Sequence, residues 1–197
     1  MGDAATPGGG EAHETFATTA REAATDAGAF PRDRFVDGTL DAEYGAGDVK
    51  TAADRGAERR VLAVLREAHP DHAVRAEESG HHEATGETGS DYCWVVDALD
   101  GTNNFAAGAP TFGVAVTLLD GDGPLVTAVT VPVLEDTYLA RRGHGVTYNG
   151  RPVTVEDGDR VQPTHATVAS VVGAPVLVDD GLADRHREQV RAVQGVC

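Results

Sequence analysis

Lysine is all but missing from this chain: of its 16 basic residues only Lys50 is a lysine, and the rest are arginines. So little basic charge leaves no footprint for a nucleic-acid backbone, and nucleic acid is not an expected partner. Cysteine is as scarce. Cys93 and Cys197 are the only two, which excludes a disulfide framework. No apolar run approaches the roughly 18 residues of a membrane helix, so no membrane span is expected. The first ten residues are rich in Gly and Ala and lack a basic-then-apolar signal pattern. A cytoplasmic protein is the default expectation.

What replaces the missing lysine is acid. Asp and Glu total 32, for a formal net charge of −16, while aromatics make up only 5%. This is the balance of a protein living in concentrated salt, where self-repulsion is screened within about 3 Å at 1 M. A GC-rich genome would explain arginine in place of lysine, but not the excess acid. Hydrophobic residues at 41% are a normal globular fraction, and 197 residues fit one domain or one domain and part of another.

Along the chain, residues 1–12 read as a disordered leader. An Ala-rich stretch over 13–27, with Phe16, Ala20, Ala23 and Ala27 on one face, predicts a helix. Residues 29–49, rich in Gly, Asp and Pro, read as a long loop. A second helix carries Ala53, Ala57, Val61, Val64, Leu65 and Ala68, and Pro70 ends it. Strands are then expected over 73–76, 92–97, 114–119, 125–131, 137–140 and 152–155, with turns at 121–123 and at Asn149-Gly150. Helices followed by a run of strands predict an α+β domain over 13–158. Beyond it, a strand-like run at 166–172 and a helix-like run at 182–193 predict a second α/β domain, 159–197, that is only begun.

The chemistry concentrates in Trp94-Val95-Val96-Asp97-Ala98-Leu99-Asp100-Gly101-Thr102-Asn103-Asn104-Phe105. A strand ending at Asp97, Asp100 three residues on and a turn at Gly101 can bring two carboxylates to one hard cation. The carbonyl of Leu99 lies between them as a further oxygen ligand. A helix started by Thr102 and Asn103 would aim N–H groups at an anion beside that cation. An Asx-rich turn that merely caps a helix satisfies the same spacing. Glu77-Glu78-Ser79 supplies a second carboxylate source after a strand, and also reads as a solvated turn. Thr51-Ala52-Ala53-Asp54 opens the second helix with capping-box spacing. His81-His82 reads as solvated loop, and Cys93 as a buried small hydrophobe.

Taken in order, Thr-x-x-Asp, Glu-Glu-Ser and Trp-Val-Val-Asp-x-Leu-Asp-Gly-Thr-x-Asn-Phe resemble the inositol monophosphatase family, which includes archaeal fructose-1,6-bisphosphatases. Val131-Pro132, the run from Asp136 to Ala140 and the Gly143–Gly150 hairpin pattern are similar to it as well, so the likeness covers roughly 13–160. It implies a layered α/β sandwich, a Mg²⁺ cofactor, and hydrolysis of a small-molecule sugar or inositol phosphate, inositol monophosphate or fructose 1,6-bisphosphate or both. The implied metal ligands are Glu77, Asp97, Asp100 and the Leu99 carbonyl. Glu77, with Thr102 paired to Asp54, would orient and deprotonate the attacking water, and Gly101, Thr102 and Asn103 would hold the phosphate. Lys50 would lie near the family's mobile active-site loop. A homodimer is implied only because family members commonly form one.

Two departures stand out. Ala98 replaces the family's usual Pro, losing a restraint of about 0.5–1 kcal/mol through the unfolded state. No Trp follows Trp94, so the family's Trp-Asp-x-Ala motif, whose Asp completes a second metal site, has no counterpart. A poor phosphatase is therefore expected, or a non-catalytic truncated fragment with a partial metal site, or a dimerisation partner of a longer relative. The charge makes its own prediction: the melting temperature should climb as KCl rises from dilute buffer into the molar range. A flat or falling series would leave the acid as compositional drift.

Overall fold

Alanine spaced at helical intervals produces the first helix, α1 (Gly9–Val36). Its buried stripe is Phe16, Ala17, Ala20, Ala23, Ala24 and Ala27, small enough for close approach to α2 (Ala52–Ala68) and to the sheet beneath. The computed structural model describes residues 9–40, 42–44, 49–86, 88 and 90–154, all within one compact unit. The helix starts at Gly9, inside the expected leader, and runs through Pro31 to Val36, inside the expected loop. Proline removes one helical hydrogen bond. Here its ring is fully buried, and packing carries the helix across a residue that read locally as a breaker. The rest of the expected loop contains a short antiparallel hairpin, β1 (Ala42–Tyr44) with β2 (Val49–Thr51).

An eight-stranded sheet follows. It is built from β3 (Ala73–Ala76), β4 (Gly80–His82), β5 (Cys93–Asp100), β6 (Gly113–Asp120), β7 (Gly123–Val131), β8 (Asp136–Arg141), β9 (Gly145–Tyr148) and β10 (Arg151–Val153). The spatial order is β10-β9-β8-β7-β6-β5-β3-β4, antiparallel throughout except for the parallel pair β3 and β5. Alternation sorts the residues. Val74, Trp94, Val96, Val114, Val116, Leu118, Val126 and Ala128 are buried against the helices, while Val95, Ala115, Thr117, Thr127 and Val129 are half-buried on the opposite face. The α+β expectation is met, as helices layered on one face of a mixed sheet. Asn149 and Gly150, both at positive φ, form the two-residue turn between β9 and β10 that an Asn-Gly pair favours. His81 and His82, expected in a loop, lie on β4, which pairs with β3. Cys93 is half-buried rather than buried. The strand expected at 166–172 and the helix at 182–193 fall outside the described residues.

A second, smaller cluster forms the floor beneath the end of β5. Ala53, Leu99, Phe105 and Phe112 are buried together, with Phe35, Leu40 and Val133 packed on them. Phe105 and Phe112 meet edge-to-face with centroids 5.2 Å apart. The floor joins the ends of α1, α2 and β5, so the positions of those ends are mutually determined.

The two helices meet over Gly56. Glycine within a helix is less stable than alanine by about 1 kcal/mol, so Gly56→Ala on an open helix would stabilise. Here the new methyl would lie 1.9 Å from Cε1 of Phe30, whose ring is flanked by the guanidiniums of Arg34 and Arg60 at 5.0 and 5.1 Å. The ring must swing out, so Gly56→Ala should destabilise by about 1–3 kcal/mol as an overpacking change. A urea midpoint that rises instead would show that Phe30 yields freely.

Candidate active site

Parallel pairing brings the first two carboxylates together. In register, Ala76 of β3 lies beside Val96 of β5, and the Glu77 N–H donates to the Val96 carbonyl at 3.1 Å. The next residue on each strand is an acid, Glu77 and Asp97, and their carboxyl groups act on each other directly.

Asp100 arrives by a different device. Residues three apart on a regular strand point to opposite faces. Between Asp97 and Asp100, however, the register slips: Asp97 pairs with Ala115 and Asp100 with Gly113, so Ala98 and Leu99 together oppose Val114. This bulge restores the parity and returns Asp100 to the face of Asp97. The strand therefore does not end at Asp97, as expected, but bends through it to Asp100. Within the bend the Leu99 N–H donates to Oδ1 of Asp97 at 3.1 Å, the Asx turn that the spacing also allowed.

The third component is the start of α2. Thr51 caps it, its hydroxyl accepting from the N–H groups of Ala53 and Asp54, and Asp54 closes the capping box. Oδ2 of Asp54 accepts from the Thr51 N–H at 2.6 Å and from its hydroxyl at 2.5 Å. Oδ1 is left for the hydroxyl of Thr102, at 3.0 Å, and the same hydroxyl lies 3.0 Å from the Leu99 carbonyl. A hydroxyl has one proton, so these are alternative acceptors. Asp54 is only 4% exposed, so this capping carboxylate is held inside the protein. Gly101, at φ 87°, caps the short helix α3 (Thr102–Ala106) without a side-chain bond. The helix starts at Thr102 as expected, but the Thr102 hydroxyl does not cap it; it faces Asp54 and the Leu99 carbonyl instead. A Cβ at position 101 would come within 3.1 Å of the Thr111 carbonyl, so only glycine suits both the backbone angle and the space. Asn103 is exposed.

Acid crowds this corner. Glu77 counts as an exposed residue, yet its carboxyl is pushed up to about 7, first by desolvation and then by Asp97, Glu78 and Asp54. Asp97 is raised too, chiefly by burial, while its hydrogen bonds to Glu77 and Leu99 pull the other way. Crowded carboxyls of this kind favour a bound proton, or a cation in its place. Among the described residues no three His, Cys, Asp or Glu side chains are gathered as a metal centre. The donor chemistry nonetheless fits a hard divalent ion: Glu77, Asp97 and Asp100 are oxygen donors, and the Leu99 carbonyl has a second lone pair beside the one facing Thr102.

Two contacts here were not foreseen. Lys50 donates to Glu78 at 2.9 Å, tying β2 to the acidic turn. Glu58, buried on α2, accepts the backbone N–H of Glu78 at 2.9 Å. A signal for Glu58 existed: Asp54 and Glu58, four apart, extend the row of Val61, Leu62 and Leu65, where an acid is out of place on a buried face.

The family profile described as the inositol monophosphatase family matches residues 12–194. The chain belongs to the inositol monophosphatase family. It is 45% identical over 114 residues to the Nus factor SuhB of Pseudomonas aeruginosa, covering 57% of this chain and 41% of that protein. It is 38% identical over 133 residues to a fructose-1,6-bisphosphatase/inositol-1-monophosphatase of Aquifex aeolicus, covering 68% and 47%. Among solved structures, the inositol monophosphatase of Anabaena matches with a TM-score of 0.58 at 36% identity, covering 73% of this chain and 50% of that one. The suhB protein of Bartonella henselae matches with 0.64 at 30%, covering 71% and 53%. The chain thus spans about half the length of these family members, or less.

The raised Glu77 carboxyl has a measurable consequence for stability. A carboxyl whose folded pKa exceeds its ordinary value contributes stability at low pH and loses it as pH rises, here from about 4.5 to about 7 for Glu77. In chelator, Glu77→Gln should therefore raise the melting temperature more at about pH 8 than at about pH 5. Equal gains at both would mean Glu77 ionises without opposition.

Proposed function

We propose that the chain hydrolyses a phosphomonoester of inositol or of a small sugar phosphate, with inositol monophosphate and fructose 1,6-bisphosphate as the candidate substrates. The observation that carries this reading is the strand register, which sets Glu77 beside Asp97 and returns Asp100 to the same face, with the Asp54–Thr102 bond next to the Leu99 carbonyl. In it, Glu77, Asp97, Asp100 and the Leu99 carbonyl hold Mg²⁺. That ion, when bound, supplies the positive charge that activates water and polarises the phosphoryl group.

The chain's own groups do the rest. Thr102 orients the attacking water through its hydroxyl, and Asp54, fixed by Thr51, takes the proton passed along that hydroxyl. Glu77, whose cation-free carboxyl already sits near neutrality, is the second acceptor. Water oxygen bonds to phosphorus in line as the ester oxygen leaves, and solvent returns a proton to the leaving alkoxide. No phosphoenzyme is needed. Gly101, Thr102 and Asn103 face the phosphate with backbone N–H groups, on a turn with no acidic side chain of its own. The Nus factor name of the Pseudomonas relative supports a second reading, a family member serving as a factor rather than as an enzyme; the Asp54–Thr102 bond beside the paired acids Glu77 and Asp97 supports the first.

Calorimetric titration should show Mg²⁺ binding of modest affinity, because this ion keeps much of its water. Asp97→Asn should abolish most of that heat and, with it, slow phosphate release from both substrates. Equal heats in the two proteins would overturn the ligand assignment; phosphate release unaffected by Asp97→Asn would overturn the mechanism.

A further inference from the structure

Glu58 is a carboxylate buried where negative charge is already in excess. It is 4% exposed, one helical turn beyond Asp54, and close to the turn that carries Glu77 and Glu78. Burying a carboxylate is unfavourable unless its hydrogen bonds compensate. Among the described residues, Glu58 accepts the peptide N–H of Glu78 at 2.9 Å.

That N–H belongs to the peptide immediately after Glu77. On its other side, Glu77 donates its own N–H to Val96 in the sheet. The backbone of Glu77 is therefore pinned at both flanks, once by β5 and once by α2. With both peptide planes fixed, the Cα–Cβ bond of Glu77 has one direction, and from it the side chain reaches Asp97. Residues 54 and 58 lie on the same face of α2. One short stretch of helix thus holds both halves of the site: Asp54 takes the Thr102 hydroxyl, and Glu58 takes the Glu77–Glu78 peptide.

We propose that Glu58 is a positioning residue, setting the direction of the Glu77 carboxylate toward the cation through its bond to the Glu78 N–H. This rests on the Mg²⁺ reading above. Its action is geometric rather than electrostatic: an acceptor oxygen at the right reach is required, and its charge is not.

Two conservative variants separate reach from charge. Glu58→Gln keeps the chain length and an acceptor oxygen but loses the charge; Glu58→Asp keeps the charge but withdraws the oxygen. Full-chain protein is titrated with MgCl₂, and exchange of the Glu78 amide is followed by NMR in chelator. Outer-shell partners typically contribute 10–100-fold in metal affinity, so Glu58→Asp should weaken Mg²⁺ binding about tenfold, and Glu58→Gln by no more than roughly threefold. The Glu78 amide should exchange faster in Glu58→Asp and stay protected in Glu58→Gln. A Glu58→Asp variant that binds and protects like the original, or a Glu58→Gln variant that is the weaker of the two, overturns the proposal. The amide readout keeps the two failures apart: Mg²⁺ binding absent from the unsubstituted chain sinks the catalytic reading, whereas an unchanged Glu78 amide in Glu58→Asp sinks the role of Glu58.

Discussion

Everything at the site depends on one parallel strand pair. Because β3 and β5 run in the same direction and in register, the residues that follow Ala76 and Val96 emerge side by side at the same end of the sheet. Both are acids. An antiparallel arrangement would have sent them to opposite ends, and a slip of one residue would have turned one of them to the other face. The Glu77 N–H to Val96 bond extends the ladder one step past the strand and fixes that register where it matters.

Around this pair the fold concentrates like charge instead of relieving it. Asp54 and Glu58 come from α2, Glu78 from the turn and Asp100 from the bulge. The consequence is visible in Glu77, which holds a proton to near neutrality in the absence of a cation. Lys50 is engaged by Glu78. Such crowding is tolerable because each inner carboxylate is held by hydrogen bonds that it accepts: Asp54 by Thr51 and Thr102, Asp97 by Leu99, Glu58 by Glu78. The apolar floor of Leu99, Phe105 and Phe112 beneath them keeps the bulge and the start of α3 from relaxing away from the charge.

Family membership and the geometry of the candidate site rest on different facts. The profile match and the relatives' identities concern the chain as a string of residues. The bulge, the crowding that raises the Glu77 carboxyl and the Asp54–Thr102 bond are properties of these residues in space. A chain spanning half of its relatives can keep the second set intact, because every group in it comes from residues 51–115.

Legible in the sequence were the local features: the second helix with its Thr51/Asp54 cap, the strand at 73–76, the Asn149-Gly150 turn, and the Asp97 to Phe105 run as the candidate chemical centre. Each is decided by neighbours within a few residues, through capping, alternation or φ preference, so each is legible in order along the chain. What tertiary structure alone decided involves residues far apart. Helix α1 continues through Pro31 because a buried ring outweighs one lost hydrogen bond. Asp97 and Asp100 share a face because β6 offers one residue, Val114, against two. Gly56 is required because Phe30 lies over it, and Glu58 is buried because the Glu78 N–H needs an acceptor. None of these could be read from spacing, since the partner that makes each one necessary arrives from another element, and only packing brings it there.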